Sequence, residues 1–448
     1  MKKALFIIVA LASVAIGCTK SEVVKAPGRG REIKFDTYVG KTPVTKAESA
    51  DLTYLQRPLP TDGGQGGFQV YAFLHTAITP TITETDNGPV TTYDVSDVGV
   101  SSAYMNKEVS WMGPQESTDA DGNPITIAGY WDYDGVVYWP DYTTNRKLAF
   151  AAYALNAKEE MTFEDDDKTA TGKSFTKFTY TVPDAVADQK DLLVTPFLPN
   201  QGLAENVAAA SVNLNFKHLL SRISFQVVAN QESGVEIDIQ EVTLNGKFPT
   251  QGKVDLKGVG EIAPLTEENS TYVNSYDLFP NDDHFVTKSS IVPADIFANI
   301  LVTKEADVTN EDGSVTPGKV TSVESTDKSS RYMMIMPSTQ DTNIASIDEE
   351  GNVTYVDGKE RPGAYIDVQY LLTDAAVANA RVSLDGWKFE AGKSYTFIFK
   401  VSTSSIEFEV SVEDWNEYFY SSTDPDTGVT TYPNGNGVFT LTPIVGEN

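Results

Sequence analysis

Cys18 is the one thiol in a chain of 448 residues, and its setting gives it a chemistry. Met1-Lys2-Lys3 precede a mostly apolar run over 4–16, and Gly17-Cys18 follow. A basic start before a short apolar run is the pattern of a secretory signal peptide. The run is shorter than the ~20 residues that span a bilayer. Ala15-Ile16-Gly17-Cys18 fits the bacterial lipobox, in which the cysteine is acylated and becomes the new N-terminus. The alternative is an ordinary signal peptide with an incidental cysteine. With Cys18 carrying lipid, the mature chain has no disulfide, and its stability rests on buried area and backbone pairing.

The remaining reactive residues do not assemble into a reaction. There are three histidines, His75, His218 and His284. His75 ends a strand candidate and His218 sits in an alternating apolar run, so both read as structural. No metal-ligand spacing links them. Gly172-Lys173-Ser174 and Gly392-Lys393-Ser394 lack the first glycine of a phosphate loop, with Asp167 and Trp387 in its place. Both triplets lead into strands rather than a helix, so they read as hairpin residues. Asp119-Ala120-Asp121-Gly122-Asn123 has Tyr130 where a calcium loop carries its bidentate glutamate, which favours a plain turn. Glu164-Asp165-Asp166-Asp167 reads as a solvated loop, with weak surface calcium binding as the alternative. Tyr130-Trp131-Asp132-Tyr133 is either a sugar-stacking cluster or a set of core and turn aromatics. The expectation is no catalytic residue, no metal site and no cofactor: the chain is not an enzyme.

Charge narrows the partners. Sixty-three acidic and 34 basic residues give a net charge of −29. Such a chain repels nucleic acid and anionic lipid surfaces. It suits a body that repels its neighbours at a cell surface.

The elements that would carry these residues are strands. There are 21 Tyr and 21 Phe, and Thr and Val are abundant, which suits pleated, half-buried surfaces. Residues 19–31 have no periodicity and read as a flexible tether. Alternation begins at once after it: Ile33, Phe35, Thr37 and Val39 share one face, with Lys34, Asp36 and Tyr38 between them. Residues 68–74 are apolar on both faces and predict a central strand. Further strands are predicted over 136–139, 148–154, 178–182, 192–194, 212–218, 223–227, 235–239, 332–336, 366–370 and 395–401. The clearest is 406–412, with one apolar face and one mostly carboxylate face, as in an antiparallel sheet with a solvated side. Pro140 ends the 136–139 strand, since proline cannot donate to a central ladder.

Short helices are predicted over 184–189 and 374–381. Asp-Gly and Glu-Gly turns recur between strands, as at Asp357-Gly358. Strands at this spacing indicate β-sandwich architecture. The expected division is a signal peptide over 1–18, the tether over 19–31, sandwiches over 32–208 and 209–415, and a tail over 416–448.

Several segments, in order, resemble one family. They are the lipobox and tether, then Phe68-Gln69-Val70-Tyr71-Ala72-Phe73 and Tyr138-Trp139-Pro140 with Lys147-Leu148-Ala149-Phe150 after it. Asp191-Leu192-Leu193-Val194, Leu214-Asn215-Phe216-Lys217-His218 and Ile335-Met336-Pro337-Ser338 follow. Gly392-Lys393-Ser394-Tyr395 and Val412-Glu413-Asp414-Trp415 complete the series. The set resembles the fimbrillin family, the subunits of type V pili, over nearly the whole chain.

The resemblance implies an all-β chain of two transthyretin-like antiparallel β-sandwich domains in tandem, with few short helices. It implies an outer-membrane lipoprotein, anchored by lipid before processing, that ends at the cell surface in a pilus. It implies assembly by strand exchange. A trypsin-like protease removes the lipidated N-terminal segment with its first strand, and a C-terminal strand of another subunit fills the groove. The partners are then other pilus subunits, in a homo- or heteropolymer, and a host or microbial surface receptor. No nucleic acid is expected.

On this chain the displaced strand falls on Ile33, Phe35, Thr37 and Val39. A productive cut lies after them. Arg29 and Arg31 lie before them, Arg57 is followed by Pro58, and Lys46-Ala47 is the best-placed bond. The family's usual residue there is arginine, so lysine is a departure. The tail offers Val438, Phe439, Leu441 and Ile444 as a donor strand or as the last strand of the C-terminal sandwich. A glycan-binding monomer that keeps its first strand and presents the aromatics around Trp131 is the alternative function.

Overall fold

A computed structural model describes residues 31–39, most of 67–414, and short strands at 422–423, 430–431, 437–441 and 443–444. The chain is nearly all β, in several sheets that are mostly antiparallel. Among the described residues no helix is long and apolar enough to cross a membrane. Cys18, Lys46, Ala47, His284 and the 119–123 loop lie outside the described residues.

The first body is built on one large sheet. Its strands run in the order Phe35–Val39, Val212–His218, Leu193–Val194, Arg146–Ala154, Gly67–Thr76, Met105–Met112 and Tyr130–Tyr133. The central strands are buried on both faces, as their unbroken apolar runs require. Phe68, Val70 and Ala72 face one core with Leu148, Phe150 and Ala152. Tyr71 and Phe73 face another with Ala149, Ala151 and Tyr153. The second core is covered by a four-stranded sheet of Met161–Asp165, Lys173–Thr181, Gln251–Asp255 and Ile262–Pro264. The first core, which holds Ile33, Phe35, Trp131 and Phe216, lies inside the curl of the large sheet.

The second body is formed by two six-stranded sheets that share one core. One is centred on Ser221–Ala229, Lys393–Val401 and Ile406–Asp414, the other on Glu236–Pro249, Tyr365–Leu372 and Ala378–Ser383. Phe225, Phe397, Phe399 and Phe408 from the first meet Ile239, Val242, Ile366 and Val382 from the second.

Each body contains one long parallel pair. Phe35–Val39 runs parallel to Val212–His218, and Ser221–Ala229 runs parallel to Lys393–Val401. In each case an early strand lies beside a much later one. Val212–His218 therefore belongs to the first body, and the turn at 219–220 separates it from the second. Gln251–Asp255 and Ile262–Pro264 also return to the first body, pairing with Lys173–Thr181 and with each other.

Two predicted helices differ from the structure. Residues 374–381 overlap the strand Ala378–Ser383, which pairs with Tyr365–Leu372 over six positions. Arg381 there donates two hydrogen bonds to Asp367, at 2.6 and 2.9 Å. Cross-strand pairing of this kind outweighs the helix preference of alanine. The 184–189 stretch contains one 3₁₀ turn, Val186–Asp188. Gly172 sits in the hairpin between Met161–Asp165 and Lys173–Thr181, and Gly392 in a turn that leads into Lys393–Val401 without a hairpin. Gly172 and Gly392 take φ of +70° and +69°, a conformation glycine adopts without steric cost.

Candidate functional site

The segment 31–39 joins two parts of the first body. Its first half pairs antiparallel with residues 137–139. Trp139 N–H donates to Arg31 C=O at 2.8 Å, Ile33 N–H donates to Val137 C=O at 2.9 Å, and Glu32 bridges Tyr138. At Lys34 it changes partner. Val212 N–H donates to Lys34 C=O at 2.7 Å, and Phe35 through Val39 then run beside Val212 through Phe216. The alternation read from the sequence produces this seat. Ile33, Phe35 and Thr37 are buried, while Lys34 is exposed.

Phe35 anchors the strand. Its ring lies 5.7 Å from Phe68, 6.0 Å from Tyr133 and 6.0 Å from Phe150, in edge-on geometries that aromatic pairs favour. Phe68 in turn contacts Trp131 and Phe216. Ile33 is fully buried in the same core.

Two side chains from the opposite edge of the sheet reach the strand. Trp131 Nε1–H donates to Thr37 Oγ1 at 3.0 Å, and Tyr133 OH donates to the Ile33 carbonyl at 2.7 Å. The sheet has thus curled until its two edge strands, Phe35–Val39 and Tyr130–Tyr133, meet through side chains. Burial pushes the Tyr133 phenol up, a rise reduced by its hydrogen bond with the backbone of Val137. Without 31–39 the edge of Val212–His218 and residues 137–139 would lose backbone partners. An apolar trough lined by Phe68, Phe150, Phe216 and Trp139 would open between them.

Trp131 is 7% exposed and engaged inside this core, so it offers no face to a sugar. Tyr133 is also buried, and of the cluster's rings Tyr130 is the exposed one. The sequence treated Thr37 as an ordinary member of the strand's apolar face and did not connect it to Trp131. The signal available was the two-residue spacing of Trp131 and Tyr133, which puts both on one face of a strand.

The tail strand Gly437–Leu441 pairs antiparallel with Ile406–Asp414 of its own chain, and Pro443–Ile444 pairs with Ala378–Ser383. The tail therefore borders both sheets of the second body.

His75 and His218 are both held by neighbouring polar groups. His75 Nδ1 lies 2.7 Å from Thr76 C=O, and Asn200 N–H donates to its Nε2 at 3.3 Å. His218 Nδ1 is 2.8 Å from the Asp191 carboxylate, with both side chains almost wholly buried. Among the described residues no group of His, Cys, Asp and Glu is arranged to hold a metal. Lys173 of one glycine triplet pairs with Asp165, and Lys393 of the other pairs with Asp414.

A family model described as fimbrillin-like matches residues 86–415. No curated protein matches the chain. Among solved structures, a fimbrial protein from Bacteroides vulgatus is 16% identical, with 86% of this chain and 99% of that one covered and a TM-score of 0.47. A fimbrial assembly protein from Parabacteroides distasonis is 10% identical, with 85% and 95% covered and a TM-score of 0.27. The tip fimbrial protein Mfa3 from Porphyromonas gingivalis, with a C-terminal truncation, is 7% identical, with 78% and 94% covered and a TM-score of 0.28. The family model spans most of the chain, and on that match the chain belongs to the fimbrillin-like family.

Proposed function

We propose that this chain is a fimbrial subunit, exported as a lipoprotein on Cys18, which joins a cell-surface polymer when its leading strand is replaced by a strand of another subunit. The observation that carries the reading is the seat of residues 31–39. This segment stands at a sheet edge, in the large sheet's parallel pairing, and fills an apolar trough with Ile33 and Phe35. A vacated edge of this kind presents unpaired N–H and C=O groups beside an apolar surface. Strand addition satisfies both, with backbone bonds supplying hold and alternate side chains supplying selection. The contact is heterologous and does not close, so it propagates as a filament.

The cut that releases the strand must fall after Val39, and Lys46-Ala47 is the proposed bond. The tail over 438–444 is the proposed donor. To serve, it leaves the edge of Ile406–Asp414, so donor release and strand acceptance are separate events on separate bodies. Outer-membrane anchoring before the cut and recognition of a host or microbial surface receptor belong to the same reading.

The test is limited trypsin treatment of the purified precursor, followed by electrophoresis in mild detergent. Ladders that appear with cleavage and vanish in the Lys46→Ala chain are the expected result. Ladders unchanged in Lys46→Ala refute the scissile bond, and complete cleavage at Lys46 without any ladder refutes exchange between copies of this chain.

A further inference from the structure

We propose that Trp131 makes the seat selective for a strand that carries a large apolar residue and, two positions later, a serine or threonine. This rests on the strand-exchange reading and names the partner's chemistry. An indole N–H can only donate, and this one is buried. Its acceptor is the hydroxyl of Thr37, itself 2% exposed. An incoming strand with valine at that place would leave the donor without a partner in an apolar core. The cost of such a buried orphan corresponds to about tenfold to a hundredfold in affinity.

Tyr133 acts differently. It bonds the carbonyl of Ile33, a group every residue has, so it fixes position without reading side chains. The two bonds lie four residues apart on the strand. A shift by one residue turns the apolar side chains away from the trough. A shift by two puts the aromatic or Val39 against the indole, and neither has an acceptor. The seat therefore reads the order aliphatic, aromatic, hydroxyl at alternate positions, as in Ile33, Phe35 and Thr37.

The chain's own tail does not repeat that order. Val438, Thr440, Thr442 and Ile444 form one alternating set, which lacks an aromatic, and Phe439, Leu441 and Pro443 form the other, which lacks a hydroxyl. The preferred donor is thus a strand of a different subunit rather than a second copy of this chain.

The test uses the full chain, with a site-specific protease sequence placed around Lys46 and cut once, so that the leading segment stays seated. Labelled peptides then compete for the seat, read by fluorescence anisotropy. The peptide of residues 31–41 is expected to exchange in, and its Thr37→Val form to bind at least tenfold more weakly. The Thr37→Ser form should recover most of the loss. The difference between the Thr and Val peptides should disappear in a Trp131→Phe chain. A peptide of residues 436–446 should bind more weakly than the 31–41 peptide.

Equal binding of the Thr37 and Thr37→Val peptides overturns the selector while leaving strand exchange standing. A tail peptide that binds as well as 31–41 overturns the assignment to a different subunit. Failure of every peptide to enter overturns strand exchange, and the selector falls with it.

Discussion

Replacing Phe35 by alanine should separate a plug that the core depends on from a strand that merely rests at an edge. Phe35 is 3% exposed, and three rings surround it within 6.0 Å. Truncation removes a buried ring and leaves a cavity between Phe68, Tyr133 and Phe150. Phe-to-Ala changes in such sites cost about 3–5 kcal/mol. Lys34→Ala, at an exposed position of the same segment, should stay within about 0.5 kcal/mol. Urea unfolding followed by tryptophan fluorescence is the assay. Trp111, Trp131 and Trp139, three of the five tryptophans, lie in or against this core and report on it. The same loss has a kinetic form. In a chain cut once after Val39, a deficit of about 3 kcal/mol corresponds to release of the leading segment faster by roughly a hundredfold, if the loss falls on dissociation. A cost under about 1 kcal/mol in the first body's transition would refute the view that this ring anchors the strand.

Three further perturbations follow from the packing. Burial raises the phenols of Tyr153, Tyr180 and Tyr276, and pushes Tyr395 up to about 12. Their folded values lie above the unfolded value of about 10, so the stability they contribute is complete below about pH 10 and is lost as pH rises through the folded values. Tyrosinate absorbance from these four should lag that of exposed tyrosines and appear with unfolding; its appearance in a folded chain near pH 10 would contradict this. His218→Phe leaves the buried Asp191 carboxylate without its imidazole partner and should cost about 3–5 kcal/mol in urea unfolding. Asp385 accepts hydrogen bonds from the backbone N–H of Asn343, Ile344 and Gly363, at 2.8, 2.8 and 2.6 Å. Asp385→Ala should destabilise the second body by about 2–4 kcal/mol, and an effect below about 0.5 kcal/mol in the same measurement would show that these loops hold without it.

Alternation in the sequence revealed which faces are buried, and much of the fold follows from it. The leading strand, the doubly buried run around Phe68 to Leu74, and the half-solvated 406–412 strand are all legible in this way. Periodicity names a face but not a partner. Nothing in Phe35–Val39 indicates that it lies parallel to a strand more than 170 residues later. The same holds for Val212–His218, whose alternation does not name its partners, Leu193–Val194 and the leading strand. Ala378–Ser383 is rich in helix-forming residues, and its extended form comes from Asp367 and Tyr365 on the neighbouring strand. Trp131 was legible as an aromatic in a cluster. Its bond to Thr37 was not, because the two lie 94 residues apart and meet only when the sheet curls.

The decisive measurement is the N-terminal residue of subunits taken from detergent-resistant polymers, by mass spectrometry of the intact chain. A chain that begins at Ala47, its first strand gone and another subunit's strand in the seat, is the predicted result. Polymers whose subunits still carry residues 31–39 in the same polypeptide would contradict it.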